Sequence, residues 1–385
     1  MESAPTLDDL PEVLAVRQVA RRGEERLAIP ETVAGRVEEQ FMGDPGPQLG
    51  CQVQDALGAR SSMDVPPEAR VAKGDMAMAD PFRHFAVEQL ADGVWAAIHR
   101  IGPPAPDAWS ISNSGIVDLG GLTLVFDTFM TAAAATELKS AAEGLTGRPP
   151  EIVVLSHGHN DHAWGSSQFP DATIVSSARA RAALVAEGPA EVEAYRDVLQ
   201  ERLAFWTAAV DGDDALAREG APFFLPYWQG LANSLPTLQL RFPDLAIEGR
   251  LDIHGTARRV EITTVGQAHT DGDLVMVLTD ERIAFCGDLL FVGCHPYLGD
   301  GDLGGLRRAL ALLEACGAHQ FVPGHGPVGR AGELATLAAY LDDLQRLATV
   351  ADEVAIPEAY RSWALRRFFA ANLEFTAGPR TAMDS

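Results

Sequence analysis

The sequence predicts an α+β protein made of two β-rich halves with helices on the outside. Three observations carry that expectation. From Phe85 onward, short apolar runs alternate with turn residues. These runs come in two sets, each with a helical stretch and a loop that carries histidine. Between the sets, residues 176–235 read as mainly helical and amphipathic, which marks an insertion.

The elements follow in order. "VEQLADGVWAAIHR" predicts two strands joined at Asp92-Gly93, and "SISNSGIVDLGGLTLVFDT" repeats the form with Gly120-Gly121 at its turn. "AAAATELKSAAEGL" is helical by propensity, with a stop expected at Gly144. The β-branched run "EIVVLS" (151–156) predicts a buried strand. "ARARAALVAEG" and "AEVEAYRDVLQERLAFWTAAV" predict two helices, and "APFFLPYWQGLANSLP" is unusually aromatic. Strands are expected at "LQLRF", "AIEGRLDIHG", "RRVEITTVG", "DLVMVLTD" and "RIAFCGD". A helix at "LGGLRRALALLEACG" and a strand at "QFVPGHGP" follow, and 331–375 reads as helical.

This gives three parts. Residues 1–80, rich in Gly, Pro and small residues, read as a poorly ordered arm, with translation from Met76 or Met78 as a sharper expectation. Residues 81–330 form the main domain, and 331–385 a C-terminal helical segment.

Of the 385 residues 47% are apolar and 22% charged, enough to build a sizeable core. A net charge of −24 repels phosphate backbones and anionic headgroups, which argues against nucleic acid and membrane partners. Oligomeric state is left open, a homodimer being one option. Cys51, Cys286, Cys294 and Cys316 show no paired spacing, as free thiols in a reducing compartment would. The acidic N-terminus lacks the apolar segment of a secretory signal, so a cytoplasmic location is expected.

The chemistry concentrates in "SHGHNDHAWG", where three of the chain's 10 histidines fall between His157 and His162. Three later strand-to-loop junctions carry His269, Asp288 and His325. Neutral imidazole and carboxylate are ligands for divalent metals of the zinc kind. His157 and His159, two apart on an extended loop, can share one metal, while Asp161 and His162 can turn toward a second. The whole set allows two three-ligand metals and one bridging carboxylate.

With these residues in their order, the chain from about 85 to 330 resembles the metallo-β-lactamase superfamily of metallohydrolases. Its H-x-H-x-D-H signature stands here as His157, His159, Asp161 and His162. The resemblance implies a four-layer αββα sandwich with a dinuclear site at one edge. It implies that His157, His159 and His269 hold the first metal, that Asp161, His162 and His325 hold the second, and that Asp288 bridges. It gives Asp127, in "LVFDT", a role in orienting the site. Two divalent ions are expected, zinc first, with iron or manganese fitting the same ligands. A metal-held hydroxide is then the expected nucleophile, with Asp161 orienting it or carrying a proton.

True β-lactamases of the superfamily carry cysteine, histidine or serine near the bridging point, whereas this chain has Asp288. The resemblance is therefore closer to the glyoxalase II-like thioesterase and lactonase branches. Cys286, two residues before Asp288, is expected from alternation to face the opposite side of its strand. The aromatic residues Phe205, Trp206, Phe223, Phe224, Tyr227 and Trp228 suit either an apolar substrate pocket or the packing of the insertion. His295 and Tyr297 are candidate oxyanion donors or loop fixings. The leading expectation is hydrolysis of a small ester, lactone or thioester. The alternatives are an iron-dependent sulfur dioxygenase of the same fold, a β-lactam hydrolase, and a binding protein without catalysis.

Overall fold

The computed structural model describes residues 82–99, 111–349 and 354–378, so the arm at 1–80 and the alternative starts lie outside the described residues. Two sheets make up its centre. The first has seven strands in the order β1 (Phe85–Ala91), β2 (Val94–His99), β3 (Ser114–Asp118), β4 (Thr123–Phe126), β5 (Ile152–Val154), β6 (Thr173–Ser177) and β7 (Leu245–Ile247). Its first four strands are antiparallel and the rest run parallel to β4. The second sheet has five strands, ordered β12 (Gln320–His325), β11 (Ile283–Phe291), β10 (Asp273–Leu278), β9 (Arg259–Gly266) and β8 (Arg250–His254). Only β11 and β12 are parallel within it.

Alternation along each strand sorts the side chains into layers. On β4 and β10, Leu124, Phe126, Leu274 and Met276 enter the core between the sheets. Val125, between the first two, faces outward onto α1 (Ala132–Thr146) with Ala135 and Leu138. Val275 and Val277 face outward onto α5 (Leu303–Ala315) and α6 (Ala331–Leu347), meeting Leu306, Leu310, Leu337 and Leu341. The result is the αββα sandwich. α6 shares this outer core with α5 and does not stand apart from the domain.

Between β6 and β7 come α3 (Ala178–Ala209) and α4 (Ala215–Ser234), and α7 (Arg367–Ala377) follows near the end. Several boundaries differ from expectation. α1 passes Gly144 and ends at Gly147, which takes the left-handed conformation at φ 77° and donates to Glu143 O. The two expected helices before 210 are one, running through Pro189. Its buried positions Ala180, Leu184, Gly188, Val192 and Tyr195 continue unbroken across the proline, so packing outweighs the lost N–H bond. "LQLRF" is not a strand, and "AIEGRLDIHG" is two strands, with the chain passing from one sheet to the other at Glu248-Gly249. The expected helix over 331–375 is interrupted, with Trp363 and Tyr360 between α6 and α7 buried against the outer core.

Among the described residues no helix is long and apolar enough to cross a membrane.

Candidate metal centre

The ends of β4, β5, β11 and β12 meet at one edge of the sandwich, and each delivers polar side chains there. Asp127 follows β4 directly, in the left-handed region at φ 60°. His157 and His159 lie in the loop after β5. The one-turn helix α2 (Asn160–Ala163) then begins, so Asp161 and His162 turn in a different direction from the two histidines before them. His269 stands in the turn between β9 and β10, which Asp273 closes by accepting from the Thr270 N–H at 2.8 Å. Asp288 lies within β11 and His325 ends β12.

The fold gathers His157, His159, His269 and Asp288 into one group and Asp161, His162 and His325 into another, with ligand atoms in each group no more than 4.8 Å apart. Asp288 touches both. Its Oδ2 stands 3.2 Å from His269 Nε2 and 3.9 Å from His157 Nε2. Its Oδ1 stands 3.1 Å from His162 Nε2 and 3.4 Å from His325 Nε2. Asp161 Oδ2 lies 3.4 Å from His162 Nε2 and 3.3 Å from His325 Nε2.

Cys286 packs in the outer core while Asp288 faces the centre. Simple alternation would put residues two apart on the same face. The register of β11 against β12 shifts around Gly287, whose φ is 51°, and that irregularity separates the two side chains.

The outward nitrogen of four of the five imidazoles has its own partner. His162 Nδ1 lies 2.8 Å from Asp127 Oδ2, and His157 Nδ1 lies 2.9 Å from Ser156 Oγ. Ser156 Oγ–H in turn donates to Asp127 Oδ2 at 2.8 Å, while its backbone N–H donates to Asp127 Oδ1 at 2.7 Å. One carboxylate thus orients a histidine in each group. His325 Nδ1 lies 2.7 Å from Ile111 O, and His159 Nε2 lies 3.1 Å from Asp300 Oδ2. These contacts select the ring nitrogen left facing inward: Nε2 of His157, His162 and His325, and Nδ1 of His159. Ser156 and Asp300 were not anticipated. Ser156 adjoins the histidine signature, but nothing in the spacing of "YLGDGD" marks Asp300.

The electrostatics reflect burial and crowding. Burial, then the neighbouring His162 and His159, holds the His157 imidazole well below its usual range. Burial also opposes charge on His162, but Asp161, Asp288 and Asp127 outweigh it and push that imidazole well above the usual range. Asp288 is held well below the ordinary carboxylate range because His325, His162 and His269 outweigh its burial.

A cavity of about 320 Å³ opens beside His159, walled by Ala183, Leu184, Glu187 and Glu191 of α3 and by Asp300 and Thr270 opposite. None of the six aromatic candidates lines it. Trp206, Phe224, Tyr227 and Trp228 are fully buried with Tyr195 and Trp164 in a core of their own, and Phe205 lies on the outer surface. Aromatic packing here fixes the insertion against Trp164, just after the histidine signature. Tyr297 stands on the centre's side of its loop, with its ring 6.2 Å from His159. His295 does not: it is buried among Tyr340, Trp363 and Phe369, with Nδ1 3.0 Å from Tyr340 Oη, and so fixes the loop.

No curated protein matches the sequence. Among solved structures, a metallo-beta-lactamase from Pontibacter korlensis is 18% identical with a TM-score of 0.48, covering 67% of this chain and 99% of that one. A metallo-beta-lactamase from Erythrobacter litoralis is also 18% identical, with a TM-score of 0.47 over 68% of this chain and 98% of its own. A third, from Pseudomonas aeruginosa in a mono-zinc form, gives the same identity and TM-score over 69% and 98%. The family model of the metallo-beta-lactamase superfamily matches residues 107–325, more than half of the chain. The chain belongs to the metallo-beta-lactamase superfamily.

Proposed function

We propose that this protein is a dinuclear metal-dependent hydrolase of a small ester, lactone or thioester. The observation that carries the reading is Asp288, whose two carboxylate oxygens lie one toward each group of ligands. The donor set fits a pair of dications. His157 Nε2, His162 Nε2 and Asp288 Oδ1 are buried without a hydrogen-bond partner, which is costly unless a cation satisfies them. His157, His159 and His269 would hold one ion, Asp161, His162 and His325 the other, and Asp288 both. Bound there, the ions would supply Lewis acidity and an activated water near neutral pH.

The chain's own residues do the rest. Asp127 and Ser156 keep the rings of His157 and His162 fixed. Asp161 is assigned the orientation of the attacking group and transfer of a proton toward the leaving group. Tyr297 is assigned a hydrogen bond to the substrate oxygen that gains charge, which its place beside His159 supports. The cavity beside His159 is at the small end of ligand sites, in keeping with a small substrate.

The test is metal analysis of the purified protein, followed by a panel of lactone, thioester, ester, β-lactam and phosphodiester substrates. Two metal equivalents and turnover of an acyl substrate are expected. Asp288→Ala should lose one equivalent and roughly 100-fold or more in kcat/KM. A single iron with oxygen uptake would instead make the protein an oxidoreductase. Turnover confined to β-lactams or phosphodiesters would also overturn the reading.

A further inference from the structure

Arg202 occupies a place where its helix otherwise buries apolar side chains. It shares the inward stripe of α3 with Val192, Tyr195, Trp206 and Ala209, and its side chain is only 3% exposed. A guanidinium does not shed its proton near neutral pH, so the charge is buried with it. Two of its nitrogens, Nε and Nη1, have no hydrogen-bond acceptor. The carboxylate that approaches it, Glu201 Oε1, stands 3.9 Å away on a side chain that is 74% exposed. A buried charge so poorly compensated is expensive.

A second cation lies against the same stripe. The guanidinium carbon of Arg367, half-buried at the start of α7, is 5.5 Å from the centre of the Trp206 ring and 5.0 Å from that of Phe224. Burial and repulsion from Arg202 pull Arg367 down to about 10, so it stays charged near neutral pH. Trp206, one turn beyond Arg202, adds a buried indole N–H without an acceptor. Arg366 pairs with Glu219 at 3.1 Å, but its Nε is also buried without an acceptor. Donors and positive charge therefore collect at the seam of α3 and α7 in a chain of net charge −24.

We propose that this seam binds a small oxyanion, held by Arg202 and Arg367 beside Trp206. Carboxylate, sulfate and phosphate share the chemistry it selects, since delocalised oxygens match the guanidinium fork. The site uses none of the residues grouped at the candidate metal centre.

The experiment follows the thermal midpoint and titration calorimetry of the metal-loaded, full-length protein. Sodium acetate, sulfate and phosphate are compared at constant ionic strength set with chloride, and their ranking separates an organic acid from an inorganic anion. At least one should raise the midpoint by roughly 2 °C or more near saturation. Arg202→Met and Arg367→Gln should each weaken its binding at least tenfold while metal content is unchanged. An equal response in wild type and both variants would place the anion elsewhere and overturn the proposal. So would no response in the wild type combined with greater stability of Arg202→Met, which would make Arg202 a stranded charge. If Arg202→Met does not fold, Arg367→Gln, at a half-buried position, decides by the same comparison.

Discussion

Gly324 leaves the room that Asp288 occupies. A Cβ at Gly324 would fall 1.8 Å from Asp288 Oδ1 and 2.9 Å from the backbone carbon of Gly287. Gly324→Ala is therefore expected to displace the carboxylate and weaken metal retention about 10-fold or more, while the circular dichroism spectrum is unchanged; metal analysis after dialysis reads the effect. His295 gives a second expectation. Burial, reinforced by Arg366, holds it down to about 4, against 6.5 for an exposed imidazole. Between these values the unfolded chain takes up a proton that the folded one refuses. Stability is therefore full above about 6.5 and falls as pH drops toward 4. Denaturant midpoints measured across that window should fall less steeply in His295→Asn, whose amide oxygen keeps an acceptor for Tyr340. At this scale the seven grouped residues were legible because histidines and aspartates recur in or beside apolar runs that read as strands. Ser156 and Asp300 were not, because contacts made to the far side of a ligand leave no period or spacing. His295 and Tyr297 look alike in sequence, and only their packing separates them.

Elements carry the same lesson in another form. Strand pairs with a glycine turn were readable, since alternation and turn chemistry are local. Helix ends were less so. Gly144 reads as a stop, yet the stop belongs to Gly147, and Pro189 reads as a break in a helix that tertiary burial keeps whole. The aromatic helix looked like a pocket because large apolar side chains line both pockets and cores. α3 is anchored at its start by Ser177, whose Oγ accepts from the Ala180 N–H at 3.0 Å and donates to Gly272 O at 2.5 Å. That second bond ties the helix to the turn that carries His269. Ser177→Ala should cost about 1 kcal/mol in chemical denaturation. It should also raise hydrogen exchange in the 269–273 turn, which a loss confined to the helix would leave unchanged.

For the whole molecule, the rhythm of strands, helix and histidine loop was enough to foresee two halves, but not how the second outer layer is completed. Leu334, Leu337, Tyr340, Leu341 and Leu344 of α6 have no exposed surface and fill one core with α5 and the second sheet. A chain cut after residue 330 should thus fail to give soluble protein or a cooperative melt, because the part of the outer face of β10 and β11 that α5 does not cover would be bare. The outer partners of the imidazoles also come from distant parts of the fold: Asp127 after β4, Ile111 before β3, and Asp300 between β11 and α5. Each sits on a different element of the fold or on the loop beside it. Where a small zinc module draws its ligands from one short segment, these residues come together only when both sheets have formed. The entropy of bringing the imidazoles together is therefore part of the folding of the whole sandwich.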